Sequence, residues 1–87
     1  MRISDILIED KIKEKILAKH NLGASEIKHV ILAKPYVLRA RSNRYMAIGC
    51  YTRFITVIFE MVNSTAFIVT AYPSSDAQIR LYKLKGK

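Results

Sequence analysis

One cysteine, Cys50, leaves no partner for an internal disulfide, and no CxxC or Cys/His cluster is present to hold structural zinc. A reducing compartment is expected. The seven carboxylates are scattered and the two histidines, His20 and His29, stand apart, so the sequence offers no metal-ligand cluster and implies no cofactor. No run approaches the roughly 18 apolar residues that span a bilayer, and the opening Met1-Arg2-Ile3-Ser4-Asp5 lacks an apolar signal core. These absences point to a cytoplasmic protein with no membrane partner. Linkers, repeats and low-complexity stretches are missing as well. A chain of 87 residues is too short for two cores, so the expectation is one domain over residues 1–87.

Acidic residues are also scarce, and the scarcity is local. Lys and Arg number 15 against 7 Asp and Glu, for a net charge of +8. Residues 1–26 hold five of each sign, whereas from Ile27 onward ten basic residues are opposed only by Glu60 and Asp76. Such asymmetry attracts polyanions: RNA, DNA, an acidic protein segment or anionic lipid. Lys11, Lys13 and Lys15 are neutralised by Glu9, Asp10 and Glu14 and read as a solvated face. Arg39, Arg41, Arg44 and Arg53 have no acidic residue among them. They would repel one another unless an anion were to meet them. Lipid is the weakest of the four, because no amphipathic helix with an exposed apolar face accompanies the charge.

About half the residues are apolar, enough for a modest core without metal or disulfide support. Ile8, Ile12, Ile16 and Leu17 recur at helical spacing behind Glu9 and Asp10, which predicts a helix over Glu9 to His20. Asn21 and Gly23, both able to adopt left-handed geometry, end it. Ser25 reads as the N-cap of a second helix carrying Ile27, Val30 and Ile31 on one face, closed by Pro35. From Tyr36 the period changes to two. Strands are predicted at Tyr36 to Arg41, Arg44 to Cys50, Arg53 to Val62 and Thr65 to Tyr72, with turns at Ser42-Asn43 and Asn63-Ser64. The third, apolar on both faces, belongs inside the sheet. Ser75 and Gln78 have capping-box spacing before a last helix over Asp76 to Leu84. The predicted fold class is α+β: two helices, a four-stranded antiparallel meander, then one helix.

A two-residue Asn63-Ser64 turn pairs Val62 with Thr65 and Ile55 with Tyr72, which places Arg53 beside Tyr72. An even-length turn around Tyr51-Thr52 adds Arg44, Met46 and Ile48 to the same face, and the Ser42-Asn43 hairpin adds Arg39 and Arg41. The expectation is therefore four arginines projecting from one side. The plain alternative is that edge-strand arginines only discourage aggregation.

Lys19-His20-Asn21-Leu22, Ser25-Glu26-Ile27, Tyr45-Met46-Ala47-Ile48-Gly49, Arg53, the Ile55 to Phe59 strand, Ile68-Val69-Thr70-Ala71, Arg80 and Tyr82 follow one another in an order and spacing that resembles the BrnT family of ribonuclease toxins. That family belongs to the wider RelE-like toxin fold, and the resemblance spans most of the chain. It implies a metal-independent endoribonuclease encoded beside an antitoxin of ribbon-helix-helix type, which masks the active surface. DNA would be reached only through the complex, which represses its own promoter. Two positions depart from the family: Tyr72 stands where arginine is usual and Gln78 where glutamate is usual. Two readings stay open, a ribonuclease in which Tyr72 acts as acid, base or stacking surface, and a catalytically silent relative that binds RNA or antitoxin.

Metal-free RNA cleavage requires a base for the 2′-hydroxyl, cations for the charge gathering on phosphorus, and an acid for the departing 5′-oxygen. The expected product ends in a 2′,3′-cyclic phosphate. Histidine is the side chain suited to proton exchange near neutral pH, and the resemblance implies a catalytic role for His20, at a helix end. A partly buried histidine capping its own helix is the plain alternative. Under the resemblance, Lys19, Arg53 and Tyr72 complete the catalytic set. Arg39, Arg41, Arg44, Arg80 and Lys83 are the candidate RNA contacts, the last two within a basic C-terminus that includes Lys85 and Lys87. His29 reads as surface, Gln78 as a cap and Tyr82 as packing.

Overall fold

The computed structural model describes residues 2–85, so Lys87 lies outside the described residues. The elements in chain order are β1 (Asp5–Leu7), α1 (Asp10–His20), α2 (Ala24–Leu32), β2 (Tyr36–Arg41), β3 (Arg44–Cys50), β4 (Phe54–Val62), β5 (Thr65–Pro73) and α3 (Asp76–Lys85). They form an α+β fold in which one sheet, of order β1-β5-β4-β3-β2, carries α1 and α2 on one face and α3 on the other.

The predicted four-stranded meander is corrected to five strands in a mixed sheet. The additional strand, β1, runs parallel to β5 through the pairs Asp5↔Thr65, Ile6↔Ala66 and Leu7↔Phe67. Three residues are too few to display a period of two, and a parallel pairing across nearly the whole chain leaves no hairpin signal. The other boundaries lie within one or two residues of expectation. β4 occupies the centre of the sheet, as its apolar character on both faces predicts.

Local chemistry explains most boundaries. α1 ends because Asn21 adopts φ 54°, left-handed, while its N–H bonds to the Leu17 carbonyl. Gly23, with φ −90°, is the N-cap of α2 in place of Ser25, which falls inside the helix. Its N–H donates to Glu26 Oε1 at 3.4 Å, a long bond that occupies one of the otherwise unpaired donors of the helix start. Lys34, φ 55°, breaks the chain direction before Pro35. Ser42, φ 53°, and Asn63, φ 58°, turn the two tight hairpins where predicted. Ser75 and Gln78 exchange both bonds of the capping box of α3, at 2.9 and 3.2 Å.

The core lies between the sheet and the first two helices. Ile16, Leu22, Ile27, Val30 and Ile31 meet Ala47, Ile55, Val57, Phe59, Ala66, Ile68 and Ala71. In β5 the inward positions change phase, from Ala66 and Ile68 to Ala71, because an extra residue sits opposite the Ile58/Phe59 step: Phe59 pairs with Ile68, but Ile58 pairs with Thr70. This bulge at Val69 turns Tyr72 away from α1 and α2. Without it, Tyr72 would share the buried face with Ala66 and Ile68.

The predicted register is corrected accordingly. Tyr72 lies opposite Thr56, not Ile55. The β3–β4 connection is three residues long, since Cys50 pairs with Phe54, and Arg53 falls in this turn, not in a strand. A further shift between Arg39 and Arg41 pairs Arg39 with Tyr45. Arg41, Arg44, Met46, Ile48 and Tyr72 therefore share the α3 face, while Arg39 projects from the opposite face and Arg53 leaves the sheet. The expectation that all four arginines share one side fails on the bulge in β2, which turns Arg39 away, and on the odd-length turn that holds Arg53.

Candidate functional site at the end of the sheet

β1 accompanies β5 only from Thr65 to Phe67, so beyond Val69 the outer edge of β5 has no strand neighbour and α1 runs along it. The C-terminal end of α1 thereby delivers His20 to the edge of β5. Its ring and that of Tyr72 have centroids 6.3 Å apart, tilted by 54°. Both side chains are half-buried. A pocket of about 210 Å³ beside His20 is lined by Ile12, Lys15, Ile16, Lys19, His20, Val69 and Thr70. Lys19 contributes its charge at that mouth.

On the α3 face, Tyr72 belongs to a partly buried polar cluster. Thr56, fully buried, lies 2.7 Å from Ser74 Oγ and 3.0 Å from Gln78 Oε1. Gln78 Nε2 donates to Tyr72 Oη at 3.1 Å and points at Met46 Sδ at 3.7 Å. The capping role assigned to Gln78 is observed, and its amide also holds the tyrosine. Sequence reading missed Thr56 and Ser74 altogether. The available signal was a hydroxyl at position 56 amid the apolar run Phe54 to Phe59.

Arg53 is near this end of the sheet but faces elsewhere. Its Nη2 donates to the Asn21 carbonyl at 2.6 Å and lies 3.5 Å from Glu26 Oε1. It fastens the β3–β4 turn to the α1–α2 junction. Thr52 Oγ1 reaches the other Glu26 oxygen at 3.4 Å, which strengthens the same joint. Lys83 Nζ lies over the Phe54 ring, 5.9 Å from its centroid, and Tyr82 packs edge-on against that ring at 5.6 Å. Arg80 is exposed on α3.

The remaining arginines occupy the opposite end. Arg44 pairs across the strands with Glu60, Nε to Oε2 at 2.8 Å, and Arg39 Nε donates to the Ser42 carbonyl of its own turn at 3.1 Å. Arg41 is exposed beside them. From Glu60 to Phe54 along β4 is about 20 Å at the rise of a strand. The structure thus brings His20 to Tyr72, with Lys19 lining the pocket beside His20 and Arg53 and Lys83 near the same end, and leaves Arg39, Arg41 and Arg44 apart from them. No group of three or more His, Cys, Asp or Glu side chains suited to a metal is found among the described residues. No helix among them is long and apolar enough to cross a membrane.

A mixed five-stranded sheet with helices on both faces defines a small α+β fold, and a histidine and a tyrosine meet at its open edge. Among solved structures, the chain is similar to the Brucella abortus ribonuclease toxin BrnT, with a TM-score of 0.70 and 23% sequence identity over 83% of this chain and 97% of that one. The likeness establishes a BrnT-like fold, as the sequence resemblance implies. No protein-family model and no curated protein matches the chain.

Proposed function

We propose that this protein is the toxin of a toxin-antitoxin pair and acts as a metal-independent endoribonuclease. The observation that carries the reading is the approach of His20 to Tyr72, 6.3 Å between ring centroids, at the open edge of β5. One phosphodiester lying across the two rings would touch both. The His20 imidazole takes the proton of the 2′-hydroxyl, and the freed 2′-oxygen attacks phosphorus as the bond to the 5′-oxygen breaks. Tyr72 gives its proton to the departing 5′-oxygen, while Lys19 offsets the charge that gathers on the phosphoryl oxygens. The products are a 2′,3′-cyclic phosphate and a 5′-hydroxyl. Arg80 and Lys83 on α3, and Arg39, Arg41 and Arg44 at the far end, are proposed contacts to the RNA backbone.

The proposed partner is an antitoxin of ribbon-helix-helix type encoded next to this gene, whose acidic segment neutralises the basic surface; DNA is met only through that complex. Expression of the chain alone in bacteria is expected to arrest growth, and co-expression of the neighbouring gene product to restore it. Normal growth at high soluble expression contradicts the toxin reading.

A second reading, a module that binds RNA or antitoxin without cutting, is favoured by the engagement of Arg53. With its guanidinium bound to Asn21 and Glu26, the site relies for positive charge on Lys15 and Lys19, which line the pocket beside His20.

A further inference from the structure

We infer that Gln78 is a positioning residue: a one-way chain of hydrogen bonds running from Ser74 through Thr56 and Gln78 fixes Tyr72 as an acceptor from the protein and leaves its own proton for the ligand. The orientation stands on the geometry alone, whereas its catalytic consequence rests on the ribonuclease reading above.

The direction of the chain follows from one group that has no choice. The Ser75 backbone N–H can only donate, and it lies 2.9 Å from one terminal atom of the Gln78 side chain, so that atom is the oxygen. The Gln78 NH2 group must then occupy the other branch. Thr56 Oγ1 is 3.0 Å from the same oxygen, which has no proton to offer, so Thr56 donates its only one. Ser74 Oγ, 2.7 Å from Thr56 Oγ1, is left to donate to it. Thr56 is fully buried, so water cannot replace either partner. At the other branch, Nε2 donates to Tyr72 Oη at 3.1 Å, with Met46 Sδ, a weak acceptor, 3.7 Å away. Among the described residues, the only hydrogen bond of the Tyr72 hydroxyl is the one it accepts. Its own proton meets no acceptor among the described residues and is left for a ligand.

Two consequences follow for chemistry. A phenol held in this way is a ready donor to a phosphate or to a departing alkoxide. The Gln78 N–H then faces the negative charge that develops on Tyr72 Oη as the proton leaves, which stabilises the later stage of transfer more than the earlier one. Gln78 never touches RNA in this scheme and acts only through Tyr72.

Gln78→Glu isolates this role. A carboxylate still accepts from Ser75 N–H and Thr56 Oγ1, and glutamate serves the capping box as well as glutamine does, so the fold is retained. It has no N–H, however, and Tyr72 must turn to donate its proton inward. The Raman doublet of tyrosine distinguishes a phenol that accepts from one that donates. Subtracting the Tyr72→Phe spectrum in each background removes the other tyrosines. The expected result is an acceptor signature for Tyr72 in the natural protein and a donor signature in Gln78→Glu. The same signature in both overturns the inference. With a single-stranded RNA oligonucleotide, Gln78→Glu is expected to lower kcat about as far as Tyr72→Phe, on the order of 10²-fold, with KM little changed. The double variant should be no slower than either single one. Full activity in Gln78→Glu, or losses that multiply in the double variant, also overturns it. A natural protein that does not cleave RNA defeats the ribonuclease reading instead, and the Raman comparison still decides the orientation of Tyr72.

Discussion

The Arg53 guanidinium donates to the Asn21 carbonyl at 2.6 Å, across 32 positions of sequence, and so ties the turn before β4 to the end of α1. His20 is the last residue of α1 and Asn21 its cap, so this bond helps to set where the His20 ring stands relative to Tyr72. Charge-assisted hydrogen bonds contribute about 1.5–3 kcal/mol, and the lower end suits a side chain that is 38% exposed. Arg53→Ala is expected to lower the midpoint of thermal unfolding by roughly 4–8 °C for each kcal/mol lost. An unchanged midpoint with lost RNA cleavage assigns Arg53 to the chemistry instead.

α2 packs closely on β3 at Gly49. A Cβ there would lie 2.9 Å from Val30 Cγ1 and 3.4 Å from Pro35 Cβ. Val30 is β-branched and nearly confined to one rotamer in a helix, so it cannot swing aside. Gly49→Ala is therefore expected to cost about 1–3 kcal/mol, measured by chemical denaturation, through displacement of α2. Stability equal to that of the natural protein would contradict the close approach.

Much of this architecture was legible. Asn21, Asn63 and the Ser42-Asn43 pair announced the ends they make, because left-handed backbone is accessible to few residue types. The apolar character of Phe54 to Phe59 on both faces announced a central strand. The bulge at Val69 was not legible, since an extra residue in Phe67-Ile68-Val69-Thr70 changes the phase of alternation without changing composition. The length of the Tyr51 to Arg53 turn was equally silent, and with it the departure of Arg53 from the sheet. The meeting of His20 and Tyr72 could not be read from spacing either. It depends on β1 ending early and leaving the edge of β5 to α1, which is a matter of tertiary packing.

Salt dependence separates the two basic ends. Each phosphate contact on a single strand adds roughly 0.7 to the slope of log affinity against log salt. Lys19→Ala and Lys83→Ala are each expected to flatten the slope by about that amount. The triple change of Arg39, Arg41 and Arg44 to Ala is expected to flatten it further, by less than three full contacts, because Arg44 is already paired with Glu60. A slope unmoved by the triple change removes the far end from the RNA interface.

The most direct measurement of the central claim is the fate of a single-stranded RNA oligonucleotide incubated with the purified protein in excess chelator, with the new ends analysed chemically. The His20–Tyr72 account predicts internal cleavage leaving a 2′,3′-cyclic phosphate and a 5′-hydroxyl, slowed on the order of 10²-fold or more by His20→Ala and by Tyr72→Phe. RNA that is bound but left intact, or cleaved equally well by both variants, contradicts it.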